Sequence, residues 1–138
     1  MKDYMEINYT SQLTMQEAFD KMVSAIKMQG QPSITIDSKV CNYRSINGNK
    51  CAIGHLISDD QIKLFNISEG FAASRFPLQL CEELIACCDV YDSRHFLEDM
   101  QVAHDNAATT YPLNNNLFMN EFLIECEEVA KKWQLNYG

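Results

Sequence analysis

Residues 41–60, CNYRSINGNKCAIGHLISDD, bring several kinds of reactive side chain together within one short segment of this 138-residue chain. They supply two thiols, an imidazole, a guanidinium and an ammonium group: Cys41, Cys51, His55, Arg44 and Lys50. Thiolates and imidazoles bind zinc and also serve in nucleophilic catalysis, whereas guanidinium and ammonium groups bind anions. The segment is therefore compatible with three kinds of functional site, and with a fourth role that is only structural.

A zinc site is the first hypothesis. Cys51 and His55 are four residues apart, a spacing that places both on one face of a helix. Cys41 could add a thiolate from a facing strand, and His104 an imidazole from a later helix. No cofactor is favoured, but zinc is possible on Cys41, Cys51, His55 and His104, although their spacing matches no standard zinc finger. In the structural alternative the cysteines pack as apolar groups and His55 lies at the surface.

A cysteine-dependent hydrolase is the second hypothesis. Cys51 follows an Asn/Gly-rich loop and precedes a possible helix, whose dipole would lower the pKa of the thiol. His104 could then act as the general base. Its chain neighbour Asp105 is expected to face elsewhere and to orient it poorly. The alternative is that His104 is a core histidine, since it falls on the apolar face of its helix.

An anion pocket is the third hypothesis. The planar fork of Arg44 suits phosphate or carboxylate, and Lys50 precedes a possible helix N-terminus. A small nucleotide-like signal would then contact Tyr43, Arg44, Lys50, His55, His104 and Asp105. The structural alternative is an ion pair between Arg44 and one of three aspartates, Asp59, Asp60 or Asp105.

Helical signals dominate the rest of the chain. Thr14 and Glu17 have the spacing of a capping box, and Gly30 with Pro32 ends an apolar stripe, which predicts a helix over 14–29. Further helices are predicted from Ser58, over 77–89 with Cys88 inward, over 93–109 with Asp92 or Ser93 as cap, and over 117–133 with Asn116 as cap.

The Asn47-Gly48 pair favours a type I′ turn, which would join strands at 40–45 and 49–52. Alternatively, this loop delivers Cys51 to the start of a helix. The β-branched residues at 33–37 predict a separate short strand in either case. These elements predict a mainly α (α+β) fold. We expect a single compact domain of five to six helices at 14–138, with a small β-hairpin around 40–52, after an N-terminal arm at 1–13.

Charge and composition narrow the class of protein. Eleven basic against 19 acidic residues give a net charge of −8, which opposes binding to duplex nucleic acid and is compatible with a basic protein partner. No apolar run is long enough to span a membrane, and the N-terminal residues lack the apolar core of a signal peptide. We therefore expect a cytoplasmic protein with six reduced cysteines. Its acidic last helix leaves room for a homo-oligomer.

Three motifs carry a resemblance: Cys41-x-Tyr43-Arg44, Gly48-x-Lys50-Cys51-Ala52-x-Gly54-x-Leu56-Ile57-x-Asp59, and Ala103-His104-Asp105. Together they resemble a family of small uncharacterised bacteriophage and bacterial proteins, over roughly residues 14–133. Position 55 is often cysteine in that family, and a Cys/His exchange keeps a metal ligand. The resemblance implies a phage or prophage setting, where the host cytoplasm would be the location, and it implies no activity.

The expected function follows from that setting. Small acidic phage proteins often disable a host component by binding it, so we expect a non-enzymatic binding module that inhibits host defence. It would bind a host protein or sequester a small phosphorylated signal. The alternative is the hydrolase that uses Cys51 and His104.

Overall fold

The computed structural model describes residues 12–35, 40–86 and 89–137. Within these ranges lie six α-helices, a 3-10 turn at Ala73–Arg75 and a two-stranded antiparallel sheet. The helices are α1 (Met15–Gln29), α2 (Ala52–Leu56), α3 (Asp59–Leu64), α4 (Leu78–Leu84), α5 (Val90–Thr110) and α6 (Asn115–Trp133), and the strands are β1 (Ile34–Thr35) and β2 (Val40–Cys41). The predicted mainly α fold with a small antiparallel hairpin is confirmed.

Helix α1 is specified by its ends, and its prediction is confirmed. Thr14 Oγ1 accepts the Glu17 N–H at 3.0 Å, while Glu17 Oε1 accepts the Thr14 N–H at 2.9 Å. This capping box satisfies backbone donors that the first turn leaves free. Gly30 closes the helix in the left-handed region, with φ 74° and its N–H donating to Ile26 O.

Helices α5 and α6 supply much of the core. Their buried side chains include Phe96, Leu97, Met100, Phe118, Phe122 and Cys126. Trp133 Nε1 also donates to Asp99 Oδ2 at 2.8 Å, which ties the end of α6 to α5. The predicted cap Asn116 is wrong, because Asn114 Oδ1 accepts the Leu117 N–H at 3.0 Å and the helix begins at Asn115. Likewise α5 begins earlier than predicted, with Asp89 as its cap.

The hairpin joins different segments from those predicted. Strand β2 pairs with β1 in the register Ile34↔Cys41 and Thr35↔Val40, and Asn42 N–H extends the ladder to Ser33 O at 3.0 Å. The predicted partner 49–52 instead leads into α2. One backbone bond, from Cys51 N–H to Asn42 O at 3.2 Å, brings that segment beside β2.

The loop between Asn42 and Cys51 does turn at Asn47-Gly48, but not as a type I′ turn. Gly48 has φ 91°, whereas Asn47 is outside the left-handed region that type I′ requires at both central residues. The side-chain oxygen of Asn47 explains the difference, because it accepts the Asn49 N–H at 3.2 Å and stabilises a local Asx turn. Gly48 N–H donates to Ser45 O at 3.0 Å instead.

Helix α4 ends sooner than predicted because the chain turns to meet the segment before α1. Leu13 forms a parallel bridge with Ile85, in which Ala86 N–H donates to Leu13 O at 2.7 Å. The inward Cys88 of the prediction, its neighbour Cys87 and most of the 1–13 arm lie outside the described residues. The four described cysteines are free thiols: Cys41, Cys51, Cys81 and Cys126.

The length and hydropathy of each helix show whether it could span a membrane. None of the helices in the described ranges combines the length and apolar character needed to cross a bilayer.

Gly54 lets α2 pack directly against the backbone of Tyr43. A Cβ at this position would overlap the Tyr43 carbonyl oxygen and lie 3.0 Å from the Lys50 Cβ. Both neighbours are fixed, since Arg44 Nη1 donates to the Tyr43 carbonyl and the Gln29 side chain holds the Lys50 backbone. The contact therefore requires glycine for space, although a helix would otherwise favour alanine.

We expect Gly54→Ala to destabilise the fold by about 2 kcal/mol, because overpacking outweighs the gain in helix propensity of about 1 kcal/mol. Gly30→Ala is the matched control, since its Cβ meets nothing within 4 Å and it costs only left-handed backbone strain. Denaturant unfolding measures both. A Gly54→Ala protein as stable as the wild type would contradict the packing.

Candidate functional site

A pocket of about 350 Å³ opens where β2, loop 66–72 and α5 meet. It is lined by Val40, Cys41, Tyr43, Cys51, Gly70, Ala72, Gln101, Asp105 and Thr109. The structure thus gathers four of the predicted site residues there, and places His104 directly behind Asp105. Arg44, Lys50 and His55 are not among the lining residues.

His104 is fully buried and its proton is fixed on one ring nitrogen. The Ser33 backbone N–H donates to Nε2 at 3.1 Å, so Nε2 must be an acceptor. The proton is then on Nδ1, which lies 2.9 Å from Asp105 Oδ1 and donates to it. The expectation that Asp105 faces elsewhere is wrong. Consecutive helical residues point about 100° apart, yet Nδ1 lies close to the backbone and within reach of the next side chain.

Both thiols of the pocket are held in their protonated form. Burial raises the pKa of Cys51 to about 12, against the opposing effect of the Gly54 N–H, which donates to Sγ at 3.3 Å. Burial also raises the pKa of Cys41 far above its ordinary range, with further contributions from the charge of Asp105 and a hydrogen bond to it. The lowered pKa expected for Cys51 is wrong, because a five-residue helix does not compensate for desolvation.

The protonated thiol of Cys51 and the hydrogen-bonded Nε2 of His104 do not form a cysteine–histidine catalytic pair. A nucleophilic cysteine needs a thiolate, and a general base needs a free lone pair that can take a proton. Cys51 is protonated at neutral pH, while the lone pair of His104 Nε2 is engaged by Ser33. The geometry therefore gives no support to the hydrolase alternative.

One group of side chains could hold a metal ion, but it differs from the predicted set of ligands. Cys41, His104 and Asp105 offer ligand atoms that all lie within 4.8 Å of one another, whereas Cys51 and His55 are outside this group. To bind a metal through Nδ1, His104 would have to carry its proton on Nε2, which faces the Ser33 N–H. The donor set does not fit zinc, because the proton on His104 Nε2 and the backbone hydrogen of Ser33 would then point at each other.

Arg44 forms the structural ion pair that was the alternative to an anion site. Its Nε is 2.8 Å from Asp59 Oδ1, and neither of the other two candidate aspartates pairs with it among the described residues. Nη1 donates to Gly54 O at 2.6 Å and to Tyr43 O at 3.2 Å, and Nη2 donates to Ile57 O at 2.7 Å. Its hydrogen bond and charge lower the pKa of Asp59. The guanidinium therefore holds α2 to the loop before it.

An internal carboxylate occupies the backbone amides beside Arg44. Glu69 Oε1 accepts the Tyr43 N–H at 2.7 Å, and Oε2 accepts the Arg44 N–H at 3.3 Å. These contacts fasten loop 66–72 to the residues after β2. Nothing in the local sequence indicated this role, since Glu69 lies in a turn-rich connection 25 residues from Arg44.

Gln101 orders the wall of the pocket. Its Nε2 donates to Tyr43 Oη at 2.8 Å and to Phe71 O at 3.1 Å, while its Oε1 accepts the Ala73 N–H at 2.7 Å. The Tyr43 hydroxyl also donates to Phe71 O. Sequence reasoning missed Gln101, although Gln101, Asp105 and Thr109 recur every four residues, a polar stripe that a helical wheel reveals.

His55 and Lys50 are held by the last side chain of α1. Gln29 Oε1 accepts the Lys50 N–H at 2.9 Å, and Gln29 Nε2 donates to Lys50 O at 2.9 Å. His55 Nε2 lies 2.9 Å from the same Oε1 and therefore donates to it. Burial, followed by the charges of Lys50 and Arg44, lowers the pKa of His55 to about 4. His55 is neutral at pH 7 and attracts no anion.

Comparison of the chain with protein-family models, curated proteins and solved structures gives no match. The resemblance based on the three motifs stays a prediction.

We expect Arg44→Ala to lower the free energy of unfolding by about 3 kcal/mol, because three carbonyl oxygens lose their donor. Asp59→Asn is the matched control: it removes the charge partner, which is exposed, and leaves the three carbonyl contacts intact. We expect it to change stability little. Urea unfolding at neutral pH measures both variants, and an Arg44→Ala protein of wild-type stability would show that the guanidinium is not structural.

Protonation of His55 should destabilise the fold in acid. Its folded pKa of about 4 is below its ordinary value, so the unfolded chain binds the proton first as the pH falls from about 6.5 to 4. We expect a loss of about 1 to 2 kcal/mol over this window, after allowance for solvent screening of a half-buried group. His55→Gln should flatten this part of the stability profile, whereas His95→Gln, at an exposed site, should not. Equal profiles for the wild type and His55→Gln would refute the assignment.

Proposed function

We propose that this protein is a non-enzymatic binding module that captures a small molecule in the pocket between β2, loop 66–72 and α5. The observation that carries the proposal is a preformed cavity whose potentially reactive groups are held in unreactive states. Cys41 and Cys51 are protonated, and the lone pair of His104 is engaged by Ser33. Such a cavity is suited to holding a ligand without transforming it.

Rigid walls favour binding because they need not be ordered when the ligand arrives. Tyr43 is 3% exposed, and its hydroxyl is fixed by Phe71 and Gln101. Glu69 fastens the loop that forms one rim, through the two backbone amides after Asn42. The entropic cost of forming the site is therefore met during folding.

The cavity does not favour a phosphorylated ligand. None of the described residues that line it is a lysine or arginine. Arg44, the strongest candidate for a phosphate ligand, gives four of its donor contacts to the protein itself. In place of the phosphorylated signal expected from the sequence, we therefore propose a small molecule that carries no phosphate.

In the phage setting that the motif resemblance implies, the module would act by sequestration. Capture of a small host molecule would deprive a host defence pathway of its signal. No catalytic turnover is needed for this action, which agrees with the protonated thiols of the pocket.

Filling the pocket tests the proposal. We expect Thr109→Phe to fold with an unchanged melting temperature and to lose any small molecule that co-purifies with the full-length protein from bacteria. Thr110→Phe is the matched control, since this threonine also donates to a backbone carbonyl of α5 but does not line the cavity. Native mass spectrometry of the purified proteins measures bound ligand.

Two results would contradict it. Thr109→Phe would retain the ligand if binding were elsewhere, and a wild-type protein that carries no ligand and takes up none from a host metabolite extract would have no such function. A host protein captured equally by wild type and Thr109→Phe would direct attention to a protein target at another surface.

A further inference from the structure

We propose that the pocket selects a small organic cation, whose primary ammonium group binds the carboxylate of Asp105. This inference rests on the proposed binding function and names the chemical class of the ligand. It is argued from the charge of the lining residues, from the hydrogen bonds they already make, and from the walls beside Asp105.

Asp105 is the only residue with an ordinarily ionised side chain among the described lining residues. The others that can titrate are Tyr43 and Cys51, which are buried, and Cys41, which is half-buried, and desolvation raises the pKa of all three well above neutrality. The Asp105 side chain is 36% exposed, so it can be reached from the pocket. Its contact with His104 is a hydrogen bond from Nδ1–H, and no lysine or arginine of the described ranges pairs with it. Among the described residues, the carboxylate of Asp105 is therefore the one formal charge that lines the pocket.

The hydroxyl and amide side-chain donors of the described lining residues are already used. The Tyr43 hydroxyl donates to Phe71 O, and the two N–H groups of Gln101 donate to Tyr43 Oη and Phe71 O. The Thr109 hydroxyl donates to Asp105 O at 2.8 Å. An anionic ligand would thus meet a carboxylate without compensating donors, whereas a ligand that donates hydrogen bonds would meet a free acceptor.

Asp105 has acceptor capacity to spare and is already oriented. A carboxylate offers about four lone-pair positions, and within the described ranges the His104 Nδ1–H and the Cys41 thiol are the two groups that take positions from this one. Because the His104 bond fixes the carboxylate, a ligand need not order it. A compact ammonium group with three donors suits this geometry.

The walls beside Asp105 suit an alkyl chain. Val40, Gly70 and Ala72 line the same cavity and present no charged or hydrogen-bonding side chain. Aliphatic surface next to one carboxylate favours a ligand with a cationic head and an apolar body.

Three probes of equal chain length test the head group: hexylammonium, hexanol and hexanoate. We expect hexylammonium to bind the wild-type protein at least about tenfold more tightly than hexanol, and hexanoate not to bind, because a charge-assisted hydrogen bond is lost in the other two. NMR titration at constant ionic strength measures affinity, and shifts at Cys41, Tyr43 and Thr109 locate the probe. Equal binding of hexylammonium and hexanol, tighter binding of hexanoate, or no binding of hexylammonium would each overturn the inference.

Asp105→Asn isolates the charge, because its carbonyl oxygen can still accept the His104 Nδ1–H. We expect this variant to bind hexylammonium about tenfold more weakly and hexanol unchanged. Asp92→Asn is the control, with the same loss of charge at an exposed position of α5. An equal loss of hexylammonium affinity in Asp105→Asn and Asp92→Asn would show that the net charge of the protein attracts the probe. That result would overturn the assignment to Asp105. The wild-type probe series stands without either variant if one fails to fold.

The two proposals can fail separately. A co-purified ligand that Thr109→Phe loses, together with no preference for hexylammonium, would support the binding function and contradict the ammonium specificity. Retention of every ligand by Thr109→Phe would contradict both proposals.

Discussion

Ser33 is the buried polar residue on which the site depends. It is fully buried, so each of its polar groups must find a partner inside the protein. Its N–H donates to His104 Nε2, its hydroxyl donates to Asn42 O at 2.7 Å and is shared with Asn49 O at 3.1 Å, and its carbonyl accepts the Asn42 N–H. One residue thereby joins β1, the loop before α2 and helix α5, and the latter two contribute residues to the wall of the pocket.

The position of a single proton then decides what the site can do. Because Ser33 brings only a donor to Nε2, His104 keeps its proton on Nδ1 and offers it to Asp105. The same burial that fixes this tautomer keeps the thiol of Cys51 protonated. Residues that are reactive in water thus become orienting and packing groups. A list of cysteine, histidine and aspartate in a sequence is informative about chemistry only when the partners of each atom are known.

Local signals predicted much of the fold, and long-range contacts account for the errors. The capping box and terminal glycine of α1 act within a few residues, so the helix could be predicted closely. The partner of β2 could not, because Asn47-Gly48 suggested a turn that the Asn47 side chain modifies. The ion pair of Arg44 with Asp59 was foreseeable from opposite charges 15 residues apart. The raised pKa of Cys51 was not, since desolvation depends on side chains that are distant in sequence.

The Ser33–His104 bond also has a consequence for how the chain folds. It joins residues 71 positions apart, and the Tyr43–Gln101 bond spans 58, so both close long loops whose entropy must be lost before the contacts form. The long helices and the hairpin can form from local contacts, whereas the pocket requires α5 to dock. A fragment that ended before α5 would therefore contain most of the lining residues without the wall that completes the pocket.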